Sequence, residues 1–278
     1  MWQVIQETLI DTIKLVPFLF LTYLAMEYLE HRTGEKAQRL IKKAGRLGPV
    51  LGGALGIVPQ CGFSTAASNL YAGRVISLGT LIAIYLSTSD EMLPILISEQ
   101  APIELILRLL FFKAAIGLAA GMMIDILLFR KDVGEHQHIH EICEHGHCHC
   151  EKGVFRSALS HTARISLFIL LVTFVLNLVM FYVGEKALAG LMLNRPVLGP
   201  ALAGLVGLIP NCAGSVVITQ LYLQGAMSLG AAMTGLLTGC GVGLLVLFRV
   251  NHNRKENLKV LGLLYGIGVL VGMGIGLI

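Results

Sequence analysis

Two short stretches of this chain carry side chains that can bind an ion, and one stretch is a copy of the other. Residues 48–64 read GPVLGGALGIVPQCGFS, and residues 199–215 read GPALAGLVGLIPNCAGS. An offset of 151 aligns them, so that an amide, a thiol and a hydroxyl recur in the same order. We predict that both copies contribute to one binding site. The candidate ligands are Gln60, Cys61, Ser64 and Thr65 in the first copy, and Asn211, Cys212 and Ser215 in the second.

Both copies also contain residues that break a helix near its centre. Proline removes a backbone donor and glycine weakens a helix. The breaks are predicted at Pro59 and Gly62 in the first copy and at Pro210 and Gly214 in the second. Each copy therefore forms two arms of roughly 11 residues, which are too short to span a membrane alone. The two arms form either a re-entrant hairpin or one broken crossing.

A second polar group lies inside the apolar segment 76–97. Its sequence is Ser87-Thr88-Ser89-Asp90-Glu91. Carboxylates are costly inside a membrane and are functional by default. The equivalent stretch of the second half has Cys240 and no acid. We therefore predict an asymmetric site, to which one half gives Ser87, Ser89, Asp90 and Glu91 and the other gives Cys240. Alternatively, because Pro94 follows closely, the acids lie near the external mouth.

The third feature is a polar linker rich in imidazole and thiol groups. These ligands suit zinc, copper or nickel, although no defined tetrahedral spacing stands out. We expect the linker to capture or sense metal in the cytoplasm. Its candidate ligands are His136, His138, His140, Cys143, His145, His147, Cys148, His149 and Cys150.

The composition is that of an integral membrane protein. Hydrophobic residues make up 55% of the chain and charged residues 14%, whereas soluble domains carry about a quarter charged residues. The net charge of +4 requires no nucleic-acid partner, because Lys and Arg concentrate in loops where they set topology. The six cysteines do not form a disulfide framework. We see no cleaved signal peptide at the N-terminus.

Several other residues in the apolar segments have a structural explanation. Glycines at four-residue spacing predict close helix packing; they are Gly117 and Gly121, Gly268 and Gly272, and the ridge Gly235, Gly239 and Gly243. Lys113 and Asp125 lie twelve residues apart on one predicted helix. We expect these two side chains to reach the membrane surface or to pair laterally, rather than to contact substrate.

These elements predict an all-α membrane protein built from an inverted repeat. Corresponding loops have opposite charge bias, so they face opposite sides of the membrane under the positive-inside rule. Each half then has three spans and a re-entrant hairpin, with both termini outside. The predicted domains are repeat 1 (1–130), a cytoplasmic linker (131–157) and repeat 2 (158–278). The predicted spans are 12–30, 76–97, 108–129, 162–183, 226–248 and 258–278, and the hairpins are 48–72 and 199–224.

The paired motifs PQCGFS and PNCAGS, the STSDE group and the central His/Cys linker resemble the ten-transmembrane heavy-metal exporter family. Members of that family are labelled arsenic efflux or manganese transport proteins. The similarity extends over nearly the whole chain, and six spans plus four hairpin arms give ten helical segments. The resemblance implies export of a metal or metalloid across the inner membrane of a prokaryote.

Four functions remain open at this stage. The leading hypothesis is a proton-coupled exporter of zinc, manganese or arsenite, with a midplane site between the hairpin tips. The second is a small-anion transporter that uses the helix N-termini at the tips, with Asp90 and Glu91 binding the coupling ion. An intramembrane cysteine enzyme is disfavoured because no histidine base occurs in the spans, and a membrane-tethered metal buffer leaves the core motif unexplained. We expect no catalytic cofactor, and glycine-rich faces permit a homodimer.

Overall fold

The computed structural model describes eleven helices between residues 48 and 277, and part of one further helix near the N-terminus. The described residues are 6, 8–10, 12–13, 16–17, 20–21, 24, 48–56, 61–89, 92–128, 154–183, 198–210 and 212–277. In chain order the helices are α1 (Gly48–Gly56), α2 (Cys61–Ala72), α3 (Leu78–Ser87), α4 (Met92–Ser98), α5 (Ile103–Leu128), α6 (Val154–Val183), α7 (Leu198–Gly207), α8 (Cys212–Leu223), α9 (Leu229–Thr238), α10 (Gly243–Val250) and α11 (Arg254–Gly276).

Four segments are long and apolar enough to cross a membrane, by length and composition alone. They are Leu78–Ser98, Ile103–Leu127, Leu229–Val250 and Arg254–Gly276, which correspond to four of the six predicted spans. The prediction was wrong in one respect, because the first and third of these segments are not continuous helices. Each is divided into two short helices, α3 with α4 and α9 with α10. The predicted span 12–30 lies largely outside the described residues.

The two halves pack in the same pattern, with α1–α5 corresponding to α7–α11. Helix α3 packs on α1 and α5, and α9 packs on α7 and α11. The caps also correspond: Ser77 accepts from the amide of Thr80 at the start of α3, and Ser228 accepts from the amide of Ala231 at the start of α9. Between the halves, α2 packs on α10 and α8 packs on α4. The duplicated sequence therefore folds into two similar units, and each unit packs helices against the other.

Helices α1 and α2 are arranged as the two arms of a hairpin beside α3. Gly48 at the start of α1 lies against Thr80 in the first turn of α3, and Gly56 at the end of α1 lies against Ser87 at the end of α3. The chain returns through α2 to the turn 73–77, which leads into α3. Both arms therefore start and finish at the end of the molecule where α3 begins. The depth of this hairpin in a membrane stays a prediction.

An ion pair shows how the two halves are oriented. Arg74, in the turn before α3, contacts Glu256, at the start of α11, with Nη2 and Oε1 2.9 Å apart. The hydrogen bond with Glu256 raises the pKa of Arg74, so the guanidinium stays charged. The turn 73–77 and the loop 251–253 therefore share one end of the molecule. In the second half the turn equivalent to 73–77 lies at the other end of Leu229–Val250. The opposite orientation of the two repeats across a membrane stays a prediction.

The glycines at four-residue spacing lie where helices approach most closely, as predicted. A Cβ on Gly117 would lie 2.8 Å from the carbonyl oxygen of Ala83, and Gly121 lies against the carbonyl of Gly79. In the second half Gly268 lies against Thr238 and Gly272 against Gly230. Small residues let helix backbones approach in this way. Glycine-lined helix faces therefore pack against α3 and α9, the two helices that end at the breaks.

Lys113 and Asp125, two of the charged residues of α5, make lateral contacts with neighbouring helices. Asp125 accepts hydrogen bonds from Ser77 Oγ at 2.6 Å and from the amide of Gly79 at 2.9 Å. It thereby caps the N-terminus of α3, where a negative charge is favourable. Lys113 is 1% exposed and donates to the carbonyl oxygen of Leu236. Of the two expected arrangements, lateral pairing is therefore the one observed.

A smaller core joins the N-terminal helix, which precedes α1 and contains Phe20, to α6 and α10. Phe20 packs edge-on against Phe155 with ring centroids 5.3 Å apart, and Ile169 packs with Val246. Helix α6 starts at Val154, four residues before the predicted start of repeat 2. The nine predicted linker ligands, from His136 to Cys150, lie outside the described residues.

Candidate functional site

The candidate site begins with the two helix breaks, which interrupt equivalent points of the two halves. Helix α3 ends at Ser87 and α9 ends at Thr238. In each case the next amide, of Thr88 or of Gly239, still bonds the carbonyl four residues back at 2.9 Å. Residues 88–89 at the first break and 239–242 at the second are not in a regular helix. Irregular backbone at membrane depth is tolerated only where it is buried in protein or lines a cavity.

The second break is a compact turn formed by glycine-rich sequence. The amide of Cys240 donates to Thr238 O at 3.0 Å, and that of Gly243 donates to Cys240 O at 3.2 Å. Gly241 has φ +54°, a left-handed conformation that side chains other than glycine rarely adopt. This local geometry keeps the turn tight and starts α10 beside α2 of the other half.

Helix α2 approaches this second break unusually closely. A Cβ on Gly243 would lie 2.7 Å from Ser64 Cβ and 2.9 Å from Ser64 C and O. Carbon atoms in ordinary contact are about 3.5–4.0 Å apart, so only glycine fits at residue 243. The start of α2, predicted to be a binding tip, therefore touches the helix break of the opposite half.

A hydroxyl network joins the elements at this contact. Ser68 Oγ lies 2.7 Å from each of three oxygens: the carbonyls of Ser64 and Gly243, and the hydroxyl of Tyr85. Ser68 and Tyr85 are both fully buried. One hydroxyl proton cannot serve both carbonyls, so Tyr85 donates to Ser68, and Ser68 donates to one carbonyl at a time. The network thus connects α2, α3 and the second break.

Cys240 adds a thiol to this group of oxygens. It is 1% exposed and belongs to the same buried cluster as Tyr85. The described region therefore offers hydroxyl oxygens, backbone carbonyls and one thiol as potential ligands. Among the residues that the structure describes, no three His, Cys, Asp or Glu side chains converge as a metal site.

The predicted ligands are distributed unevenly around this region. Ser64 and Thr65 are buried at the start of α2, and Cys240 lies in the second break. Ser87 is buried but contacts the scaffold glycines Gly56 and Gly117, so its hydroxyl faces the supporting helices. Ser89 is buried after α3 and donates to Ser87 O at 3.2 Å.

The remaining predictions are described only in part. Ser215 is half-buried in α8, and its backbone carbonyl accepts a hydrogen bond from Thr219 Oγ1 at 2.7 Å. Helix α8 also contains Gly214, and Pro210 lies in the turn after α7. Cys61 and Gly62 lie at the start of α2, and Cys212 lies at the start of α8. Pro59, Gln60, Asp90, Glu91 and Asn211 lie outside the described residues.

Sequence reasoning missed Ser68, Tyr85 and Gly243. Ser68 follows Ser64 by one helical turn on the face towards the second break, and this spacing was a usable signal. Tyr85 was visible as a phenol within an apolar span, where its hydroxyl needs a partner. Gly243 was assigned to helix packing, which is correct, but its partner in the other half could not be read from periodicity.

These features define the class of protein: an all-α, multi-pass membrane protein with a helix break at the contact between its two halves. Residues 2–173, more than half of the chain, match the model of the family described as "Putative, 10TM heavy-metal exporter". The chain belongs to this family of membrane transporters. Neither a curated protein nor a solved structure matches the chain.

Proposed function

We propose that this protein exports a metal or metalloid ion across the inner membrane of a prokaryote by proton antiport. The observation that supports this most directly is the contact between Ser64 at the start of α2 and Gly243 at the second break. Transporters bind substrate at the midplane, where irregular backbone from two repeats converges. In our proposal the ion binds beside this contact, with Asp90 and Glu91 supplying negative charge.

The described donors favour a hard divalent cation such as manganese as the substrate. Ser68, Tyr85 and the backbone carbonyls offer oxygen, whereas Cys240 offers one thiol. Oxygen ligands suit manganese, and thiolates suit zinc, copper(I) and arsenite. If Cys61 and Cys212 also face the site, the donor set becomes soft enough for zinc or arsenite. The substrate class therefore depends on whether those two thiols take part.

Proton coupling follows from the chemistry of the two acids. A carboxylate at the midplane binds either a cation or a proton, so that entry of protons can drive release of the metal ion. We further propose that both termini lie outside, that the His/Cys linker collects or senses metal in the cytoplasm, and that no catalytic cofactor takes part. The exposed apolar faces contact lipid, and a homodimer is compatible with them.

Element-specific accumulation in cells tests this proposal. Cells that carry the intact protein or an empty vector are loaded separately with manganese, zinc and arsenite, and their contents are measured by elemental analysis. We expect lower accumulation of one element, lost in Asp90→Asn/Glu91→Gln. Glu99→Gln is the matched control, because this carboxylate is exposed after α4 and its removal should leave export intact.

The thiol variants then assign the substrate class. Loss of export in Cys61→Ser/Cys212→Ser indicates a soft ion, and retention indicates a hard one. If no element accumulates less in cells with the intact protein, metal export is refuted. A small-anion transporter, which uses the N-termini of α2 and α8, then becomes the better hypothesis.

A further inference from the structure

Lys113 is a buried cation that the metal-export proposal does not use. Its side chain is 1% exposed, although it lies on α5 in a segment apolar enough to span a membrane. The ammonium donates to the carbonyl oxygen of Leu236 at 2.6 Å. Leu236 belongs to α9, so this hydrogen bond joins the two halves of the molecule.

The carbonyl that accepts this bond lies in the last turn of a broken helix. In a continuous helix Leu236 O would accept from the amide of Cys240. Because α9 ends at Thr238, that amide donates to Thr238 O instead. The last carbonyls of a helix lack helical partners and carry partial negative charge. The C-terminal end of α9 is therefore a place where a cation is favoured.

The repeat shows that a charge is not required here for packing. Lys113 aligns with Leu264 of α11 at the offset of 151, and Leu264 is fully buried. The second half thus fills the equivalent position with an aliphatic side chain. The ammonium is therefore specific to the first half, where it donates to Leu236 O and makes further interactions.

We propose that the C-terminal end of α9 is a monovalent-cation site that this chain fills with its own Lys113 ammonium. In secondary transporters the C-terminal ends of half-helices and unwound carbonyls coordinate coupling cations such as sodium. Here a tethered cation occupies that position permanently. It holds the second helix break against α5, and the protein has no requirement for sodium or potassium at this position.

Removal of the ammonium should expose a site that small cations can fill. Lys113→Ala leaves a space at the Leu236 carbonyl, whereas Lys113→Met removes the charge but keeps the volume of the stem. Thermal unfolding of purified protein is measured in sodium chloride, methylammonium chloride and choline chloride at equal ionic strength. Leu264→Ala is the matched control, because it makes a cavity at the equivalent position without removing a charge.

We expect the intact protein and Leu264→Ala to respond equally to the three salts. The ratio of folded to unfolded protein should fall about tenfold in Lys113→Ala. The corresponding loss of free energy is within the range for a cation at a helix C-terminus. Sodium or methylammonium should restore most of this loss, whereas choline, which is too large, should not. Lys113→Met should be destabilised without rescue, because its stem fills the site.

Equal unfolding of Lys113→Ala in all three salts would overturn the proposal. If Lys113→Ala does not fold, Lys113→Arg and Lys113→Met decide: the proposal requires the charged variant to be the more stable, and equal stability refutes it. Since the readout is stability, the result does not depend on the metal-export proposal. Failure of one leaves the other standing.

Discussion

The close approach between the two halves at Gly243 allows a sharp prediction. Replacing Gly243 with Ala would place a Cβ 2.7 Å from Ser64 Cβ and 2.9 Å from Ser64 C and O. Ordinary carbon contacts need about 3.5–4.0 Å, so α10 must move away from α2 by about 1 Å. Two of the three close atoms belong to the backbone, so no rotation of a side chain can relieve the clash.

The cost of Gly243→Ala has two parts. Overpacking of this kind costs about 1–3 kcal/mol. The displacement also stretches the 2.7 Å hydrogen bond from Ser68 to Gly243 O, and a bond of this kind contributes about 1 kcal/mol. Alanine favours the helix by up to about 1 kcal/mol, which offsets part of the loss. We therefore expect a net destabilisation of about 1–3 kcal/mol, together with reduced export.

Thermal unfolding in detergent and accumulation of the exported element measure the two effects. Gly262→Ala in α11 is the matched control, because a Cβ there meets no atom within 4 Å. It should be neutral or slightly stabilising. Met92 aligns with Gly243 in the first half, so the repeat itself does not demand glycine here. If Gly243→Ala unfolds and transports like Gly262→Ala, the close contact between α2 and α10 does not exist as described.

Two further predictions concern single side chains. Arg74 has φ +58°, and its counterpart Gly225 has φ +71°. Because both variants lose the ion pair equally, Arg74→Gly should be about 1–2 kcal/mol more stable than Arg74→Ala in thermal unfolding. Equal stability of the two variants would contradict the left-handed conformation. Ser68→Ala should destabilise the protein more than Tyr85→Phe, because it removes the partner of the buried Tyr85 hydroxyl and of a carbonyl. Each buried group left unsatisfied costs about 1–3 kcal/mol of folding free energy. The reverse order of stability in thermal unfolding would refute the network.

The arms of the hairpins could be predicted from the sequence because the residue types at their breaks interrupt a helix by themselves. Pro59 and Pro210 interrupt helices for local reasons, and α1, α2, α7 and α8 end or begin close to them. The breaks in the spans 76–97 and 226–248 were missed for the opposite reason. Hydropathy averaged over a span remains high across a short polar or glycine-rich interruption, so a broken span and a continuous helix give the same signal.

The second break shows how one residue type can hide two roles. Gly235, Gly239 and Gly243 form a ridge with four-residue spacing, which predicts a packing face. Gly235 and Gly243 do pack closely, against Ile218 and Ser64. Gly239, however, caps the end of α9, and Gly241 adopts a left-handed conformation. Spacing alone could not separate these uses, because both depend on a missing side chain.

The contacts across the halves were beyond the reach of sequence patterns for a physical reason. The hydrogen bond from Ser68 to Gly243 O joins residues 175 positions apart, and that from Lys113 to Leu236 O joins residues 123 apart. Helical periodicity reports which face of a helix is apolar, but not which helix covers it. The repeat does not predict these contacts either: Thr219, the counterpart of Ser68, donates to Ser215 O within its own half, and the counterpart of Lys113 is Leu264.

The single proton of Ser68 has a consequence for movement between the halves. It can point to the carbonyl of Ser64, on its own helix, or to that of Gly243, in the opposite half, and both are 2.7 Å away. When α10 withdraws from α2, the hydroxyl can rotate to Ser64 and keep a partner throughout. Water entering the gap can then solvate the carbonyl of Gly243. The Ser68 hydroxyl would therefore keep an acceptor if the two halves separated at this contact.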